Sequence, residues 1–262
     1  AQYALACMNA GKHVLCEKPA ASNATEFLKM TECARKNNVS FMEAMLPTTS
    51  PNFSVIRRNL SRLGRIRRYF AAYCQYSSRY DKLQQGDAAN VFRTSMSGGA
   101  TMDIGVYTIY PMVALFGMPQ SINAQGIILS GGVDGQAAVN MTYPDMNATV
   151  VYSKIADSYL PSEIEGEKGN LLMSGIHVIH DVTFIPHRKP MSGQGPEEER
   201  QAVGVEIDKS DYFYETAEFI DLVEKGKSES ENNSWENSYN TLRVTDEIRR
   251  QLGVVFPTDS AK

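Results

Sequence analysis

The sequence predicts an α/β chain of two unlike parts. The closing portion of a parallel α/β domain comes first, followed by an open, mostly antiparallel mixed β-sheet with helices on one face. Three observations carry this. Residues 1–42 run helix, strand, helix, strand, the rhythm of a parallel sheet. Residues 122–185 break into short β-like runs separated by turn residues. Two capped amphipathic helices then close the 262-residue chain.

Ala4, Leu5 and Met8 share a helix face, and Gly11 stands where a helix ends. His13-Val14-Leu15-Cys16 is a short apolar run and reads as a buried strand. Asn23-Ala24-Thr25-Glu26 has the form of a capping box. It opens a helix with Phe27, Met30 and Ala34 as its stripe and Asn37-Asn38 as its end. Val39-Ser40-Phe41-Met42 is the next strand. Two strands and two helices cannot complete such a sheet, so the chain reads as entering an α/β domain partway. Beyond Pro47 the spacing predicts a helix over 52–61, a strand over 66–76, a polar loop over 81–97 and a helix over 100–116. Strands follow at 122–129, 136–143, 148–155, 162–167, 170–174 and 178–185, with Pro144-Asp145 and Gly166-Glu167-Lys168-Gly169 as turns. Residues such as Val139, Met141, Val151 and Tyr152 are expected on the uncovered sheet face. Residues 187–204 read as a Pro/Gly/charge-rich loop. The last helices, 211–225 and 234–252, end on Gly226 and Gly253.

A hydrophobic share of 42% suffices to bury a core. With 26 Lys+Arg against 30 Asp+Glu the net charge is −4, which argues against a nucleic-acid partner. The run Arg57, Arg58, Arg62, Arg65, Arg67, Arg68 reads as solvated surface. No stretch reaches the roughly 18–20 apolar residues of a membrane span, and the N-terminus shows no signal-peptide pattern. Cys7, Cys16, Cys33 and Cys74 match no metal or redox spacing and read as reduced thiols of a cytoplasmic protein. His177 and His180, three apart in an expected strand, point to opposite faces and cannot easily share a metal.

Two motifs could carry chemistry. The segment from Gly11 ends a strand in Glu17-Lys18-Pro19, and ligands of open α/β sheets sit at the carboxyl ends of strands. A lysine there can polarise a substrate oxygen, although alone it also fits a surface lysine. Ser97-Gly98-Gly99-Ala100-Thr101-Met102-Asp103-Ile104-Gly105-Val106-Tyr107 opens a helix with a glycine pair, where backbone can approach something closely. Asp103 and Tyr107 are i and i+4 and share a face, where they could bind a hydroxyl and exchange its proton. Gly105 would leave that flank open. The bland alternative is an Asp that offsets the helix dipole and a Tyr that packs.

Together, Gly-Lys-His-Val-x-x-Glu-Lys-Pro, Met42-Glu43-Ala44 and Gly-Gly-Ala-x-x-Asp-Ile-Gly-x-Tyr resemble the Gfo/Idh/MocA oxidoreductases. The resemblance continues in Glu165-Gly166-Glu167-Lys168-Gly169 and Ile248-Arg249-Arg250-Gln251-Leu252-Gly253, so it covers essentially the whole chain. Tyr107, where many members have His, resembles the branch of glucose–fructose oxidoreductase and dimeric dihydrodiol dehydrogenase. The resemblance implies that residues 1–46 are the C-terminal part of a Rossmann domain and 47–262 a substrate-binding and oligomerisation domain. It implies a homodimer or larger homo-oligomer through the open sheet face. The implied reaction is hydride transfer between NAD or NADP and a sugar, polyol or related alcohol. Lys18, Asp103 and Tyr107 would be catalytic, with Asp103 and Tyr107 on the substrate hydroxyl, Tyr107 as acid/base and Lys18 as the stabilising cation. Glu17, Lys18, Pro19 and Glu43 would border the cofactor. Arg93, ahead of the glycine pair, either reaches substrate or is a loop surface charge. No metal is expected.

The sequence departs from the family in two places that matter. Leu46 and Thr48 stand where the related branch has an aromatic and an Arg, so the substrate pocket is expected to differ. The Gly-x-Gly-x-x-Gly/Ala phosphate loop is absent from these residues, and Gly193-Gln194-Gly195 runs into Pro196 and acidic residues. The alternative expectation is therefore a non-catalytic binding or scaffold relative that kept the sheet for association. Residues 1–45 are expected to be the least stable part, or to be rescued by the final helices. A dinucleotide pyrophosphate is gripped by a glycine turn at a helix N-terminus. The 262 residues alone are accordingly expected to show no saturable NADH or NADPH binding at micromolar concentrations in a fluorescence titration. Saturation there would reveal a cofactor site built on other groups.

Overall fold

The computed structural model describes residues 1–87, 89–187 and 199–260. Helix α1 (Gln2–Asn9) leads into β1 (Val14–Glu17), α2 (Ala24–Asn37) and β2 (Phe41–Ala44). The strands pair in parallel, from Val14 against Phe41 to Glu17 against Ala44. Asn23 caps α2 by accepting from Glu26 N at 2.9 Å. β2 starts later than the apolar run suggests because Val39 ends the helix instead. Asn38 turns left-handed (φ 52°) and Val39 N returns to Ala34 O.

Short α3 (Leu46–Thr49) and α4 (Pro51–Asn59) bridge to β3 (Ile66–Cys74). Helix α5 (Ser78–Gln84) and two 3-10 turns (Asn90–Phe92 and Thr94–Met96) occupy much of the segment expected as loop. Ser77 caps α5 by accepting from Arg79 N, a signal that polar composition hides. A π-helical turn (Thr101–Gly105) runs into α6 (Val106–Phe116). β4 (Ser121–Ile128), β5 (Asp134–Thr142), β6 (Asn147–Ser153), β7 (Ser162–Gly166), β8 (Gly169–Met173), β9 (Thr183–Pro186) and β10 (Gln201–Ala202) precede α7 (Asp211–Glu224) and α8 (Trp235–Leu252). β9 is shorter than the strand expected over 178–185, and β10 lies in the stretch expected as loop, where it pairs with β9. Ser174 bonds the Asp181 side chain and Asn52 Nδ2 donates to Ile179 O at 3.0 Å, so the chain bends between β8 and β9. Residues 188–198, with Gly193-Gln194-Gly195, lie outside the described residues.

β3 to β10 form one sheet in the order β10-β9-β8-β7-β3-β6-β5-β4. β3 and β6 are parallel, and the other described neighbours are antiparallel. One face packs on α4, α6 and α8 through Ile56, Ile109, Met112, Val244 and Ile248. The register corrects the face assignment: Val139, Met141 and Tyr152 are buried in this core. Val151 alternates to the other face, paired between Ala72 and Ala138, with Thr149 between Phe70 and Asn140. No described helix is long and apolar enough to cross a membrane.

A second core holds residues 1–45. Phe27, Met30 and Phe41 pack with Trp235, Leu242 and Phe256. Trp235 Nε1 donates to Phe41 O at 2.8 Å. Arg249, 3% exposed, pairs with Asp246 and Asp259 at 2.7 and 2.8 Å. Asp246 accepts from Ala24 N and Asp259 from the Asn23 side chain. The final helix thus supplies the wall that a two-stranded sheet lacks. Trp235→Ala removes that wall and is expected to cost about 3–5 kcal/mol. Hydrogen exchange should then accelerate first in residues 14–17 and 41–44, leaving 137–150 protected. Uniform acceleration would show that the two cores open as one.

Candidate active site

β1 ends at Glu17, and the chain turns through a cis Lys18–Pro19 bond. Glu17 is exposed, whereas Lys18 and Pro19 are half-buried. Lys18 Nζ donates to Asp103 O at 2.5 Å and lies 3.3 Å from Asp103 Oδ1. The same ammonium stands 4.7 Å from the centre of the Tyr107 ring. Two motifs far apart in sequence therefore meet at one point. A further lysine joins them: Lys154, just past β6 and 8% exposed, pairs with Asp103 Oδ2. Its signal in the sequence is slight. It follows a strand, as Lys18 does, but no motif surrounds it.

Burial opposes the Asp103 charge, yet Lys18 and Lys154 outweigh burial and hold the carboxyl below its ordinary value. Tyr107 is pushed upward, first by burial and then by Tyr73, Glu17, Tyr212 and Asp103, so its phenol stays protonated well above neutral pH.

The glycine pair answers to what lies beneath it. Gly99 has φ +121°, and a Cβ there would meet Asp134 Oδ1 at 2.3 Å. Asp134 is fully buried and accepts from Thr101 N at 2.7 Å and Thr101 Oγ1 at 2.8 Å. A carboxyl group that the sequence does not flag thus pins the turn that carries Asp103. Gly105 corrects another expectation. Its flank is not open, because the Tyr152 ring fills it, and a Cβ would stand 2.9 Å from that ring.

Aromatic groups line the other side. Tyr73 of β3 and His177 stack with centroids 4.0 Å apart, and both meet Tyr107 edge-on at 5.8 and 6.4 Å. His177 and His180 sit in the bends after β8 and not in a strand. They have separate partners, Tyr73 for His177 and Asp211, at 3.2 Å, for His180. Burial lowers the His177 pKa and favours the neutral ring. No cluster of His, Cys, Asp and Glu among the described residues could hold a metal ion.

Glu43, in β2, is 3% exposed; Oε1 accepts from Ala20 N at 3.0 Å, and the Ser238 hydroxyl lies against the carboxyl. Burial raises its pKa. Glu215 of α7 is also buried, and burial, with Glu17 and Glu43 nearby, pushes it up to about 7. Arg93 is exposed on the approach to the glycine pair, its carbonyl accepting from Gly98 N at 3.0 Å. The structure therefore gathers Lys18, Asp103 and Tyr107, flanks them with Glu17, Pro19 and Glu43, and leaves Arg93 on an adjoining surface loop.

The profile described as "Oxidoreductase family, NAD-binding Rossmann fold" matches residues 1–45, and that described as "GFO/IDH/MocA C-terminal domain" matches 59–172. The chain is 43% identical over 260 residues to scyllo-inositol 2-dehydrogenase (NADP(+)) IolU of Bacillus subtilis, spanning 99% of this chain and 76% of that protein. This chain belongs to the Gfo/Idh/MocA family. Another member, trans-1,2-dihydrobenzene-1,2-diol dehydrogenase of Danio rerio, is 30% identical over 259 residues, 97% of this chain and 74% of its own. Levoglucosan dehydrogenase, solved with NADH and levoglucosan, shares the fold with a TM-score of 0.79 at 18% identity, over 97% of this chain and 75% of that one. Gfo/Idh/MocA proteins are NAD(P)-dependent oxidoreductases, and these relatives are named dehydrogenases of CH–OH groups.

Proposed function

We propose that this family member transfers a hydride between NAD or NADP and a sugar, polyol or related alcohol, with Lys18, Asp103 and Tyr107 at the reacting oxygen. The convergence of Lys18 on Asp103 and Tyr107 carries the reading. The 43% identical relative named as an inositol dehydrogenase supports a polyol.

The cofactor supplies the hydride chemistry; the residues here place the carbon and move the proton. The Glu43 carboxyl, buried near the end of β2, suits a carboxamide N–H donor. Glu17, Lys18 and Pro19 border the same strand ends, so this part fits the nicotinamide end of the cofactor. Residues 1–46 form that border and residues 47–262 the substrate side. Tyr107, held protonated by burial, donates to the oxygen of a carbonyl being reduced. That donation leaves a phenolate, which the Lys18 ammonium stabilises; in the reverse direction this phenolate accepts the alcohol proton, and the same ammonium stabilises the developing alkoxide. Asp103 orients Lys18 and accepts from the substrate hydroxyl. Tyr73 and His177 offer flat rings to the apolar face of a ring-shaped substrate, and Arg93 reaches it from the loop. The uncovered sheet face joins two or more copies of the chain, and the free cysteines suit the cytoplasm. The scaffold alternative draws no support from the site, whose polar groups remain assembled.

With the complete dinucleotide-binding domain present, Lys18→Ala is expected to lower polyol turnover by several orders of magnitude. Tyr107→Phe should lower it by about 10²–10⁴-fold. Initial rates of NAD(P)H formation, with circular dichroism confirming the fold, check both. Near-normal turnover in the two variants would remove the assignment.

A further inference from the structure

We infer that Lys154 is a positioning residue of the hydride-transfer centre: by sharing the Asp103 carboxylate it leaves Lys18 only partly neutralised, a cation toward Tyr107 and the substrate oxygen. The inference rests on the function proposed above.

The placement is built, not incidental. Lys154 follows the strand parallel to the central β3, and both of its backbone groups are held. Its N–H donates to Gly135 O at 2.8 Å and its carbonyl accepts from Ser77 N at 2.9 Å. The side chain is 10% exposed and ends on Asp103 Oδ2. Burying an ammonium is costly unless a carboxylate meets it, and a buried pair is weak evidence for stability alone. Here the pair sits where charge develops during the reaction. The two lysines divide Asp103 between them: Lys154 takes Oδ2, while Lys18 donates to the backbone oxygen at 2.5 Å and lies 3.3 Å from Oδ1.

The charge count gives the consequence. Two lysines and one carboxylate leave one net positive charge. Without Lys154, Lys18 and Asp103 close into a neutral pair, and the site loses the charge that favours an alkoxide or phenolate. The charged and titratable groups facing Tyr107 are Glu17 and Lys18 at the end of β1, Tyr73 of β3, Asp103 in the turn before α6, His177 after β8 and Tyr212 of α7. Glu17 opposes alkoxide formation, so the cationic surplus has work to offset.

The test uses Lys154→Met and Lys154→Arg in the holoenzyme, with kcat, KM and their pH dependence measured for alcohol oxidation. Lys154→Met is expected to lower kcat by about ten- to a hundredfold with KM little changed. Loss of a nearby cation makes the proton harder to remove, so the acidic limb of kcat should move up by about one pH unit. Lys154→Arg should restore most of both. In an Asp103→Asn background Lys154→Met should add little, because the two act as one unit. Unchanged kcat and limb in Lys154→Met, while Lys18→Ala abolishes turnover, would overturn the inference; so would full additivity with Asp103→Asn. A wild-type enzyme that oxidises no polyol would instead remove the proposed function. The carboxyl titration of Asp103, followed by NMR, then decides Lys154 on its own: it should shift upward in Lys154→Met, and an unmoved titration overturns the inference.

Discussion

A single carboxylate shared by two lysines is the constraint on which the arrangement depends. Asp103 draws Lys18 from the end of a parallel strand and Lys154 from the end of a strand in the large sheet. Neither ammonium is more than 13% exposed, so each needs the acid, and the acid stays ionised because both are present. The contact therefore ties the end of β1 and the end of β6 to the turn that carries Asp103. It also fixes the place where the Tyr107 phenol can meet a substrate.

Much of the surrounding structure keeps the Asp103 turn still. Asp134 holds Thr101 from below, which only a glycine at 99 permits, and the Tyr152 ring rests against Gly105. On the other side Arg249 and its two aspartates clamp the start of α2, so the short parallel pair stays attached to the final helix. Some polar atoms near the site are left without partners, among them Asp134 Oδ1 and Glu215 Oε2. Such atoms are uncommon in folded cores.

The alternation of helix and strand, the period-two runs and the capping residues around Asn23 and Gly253 were readable directly from the sequence. Three things were not. Val39 looks like a strand residue but closes a helix, because the left-handed Asn38 beside it leaves no distinctive apolar pattern. The two sheet faces were interchanged at Val139, Met141 and Tyr152, since a one-residue uncertainty in register reverses every side chain. The bends at His177 depend on Asn52 and Asp181, which are remote from it or ordinary in composition. At the site, Lys18, Asp103 and Tyr107 stood out because each lies in a motif. Lys154, Asp134, Tyr73 and His177 are single residues whose importance comes only from what folding brings beside them.

The central claim is that one oxygen of the substrate sits between Tyr107 and Lys18. A structure of the holoenzyme with NAD(P) and an unreacted polyol tests it most directly. The account predicts a ring hydroxyl within about 2.6–3.2 Å of both Tyr107 Oη and Lys18 Nζ. A polyol seated with no hydroxyl in reach of either group would contradict it.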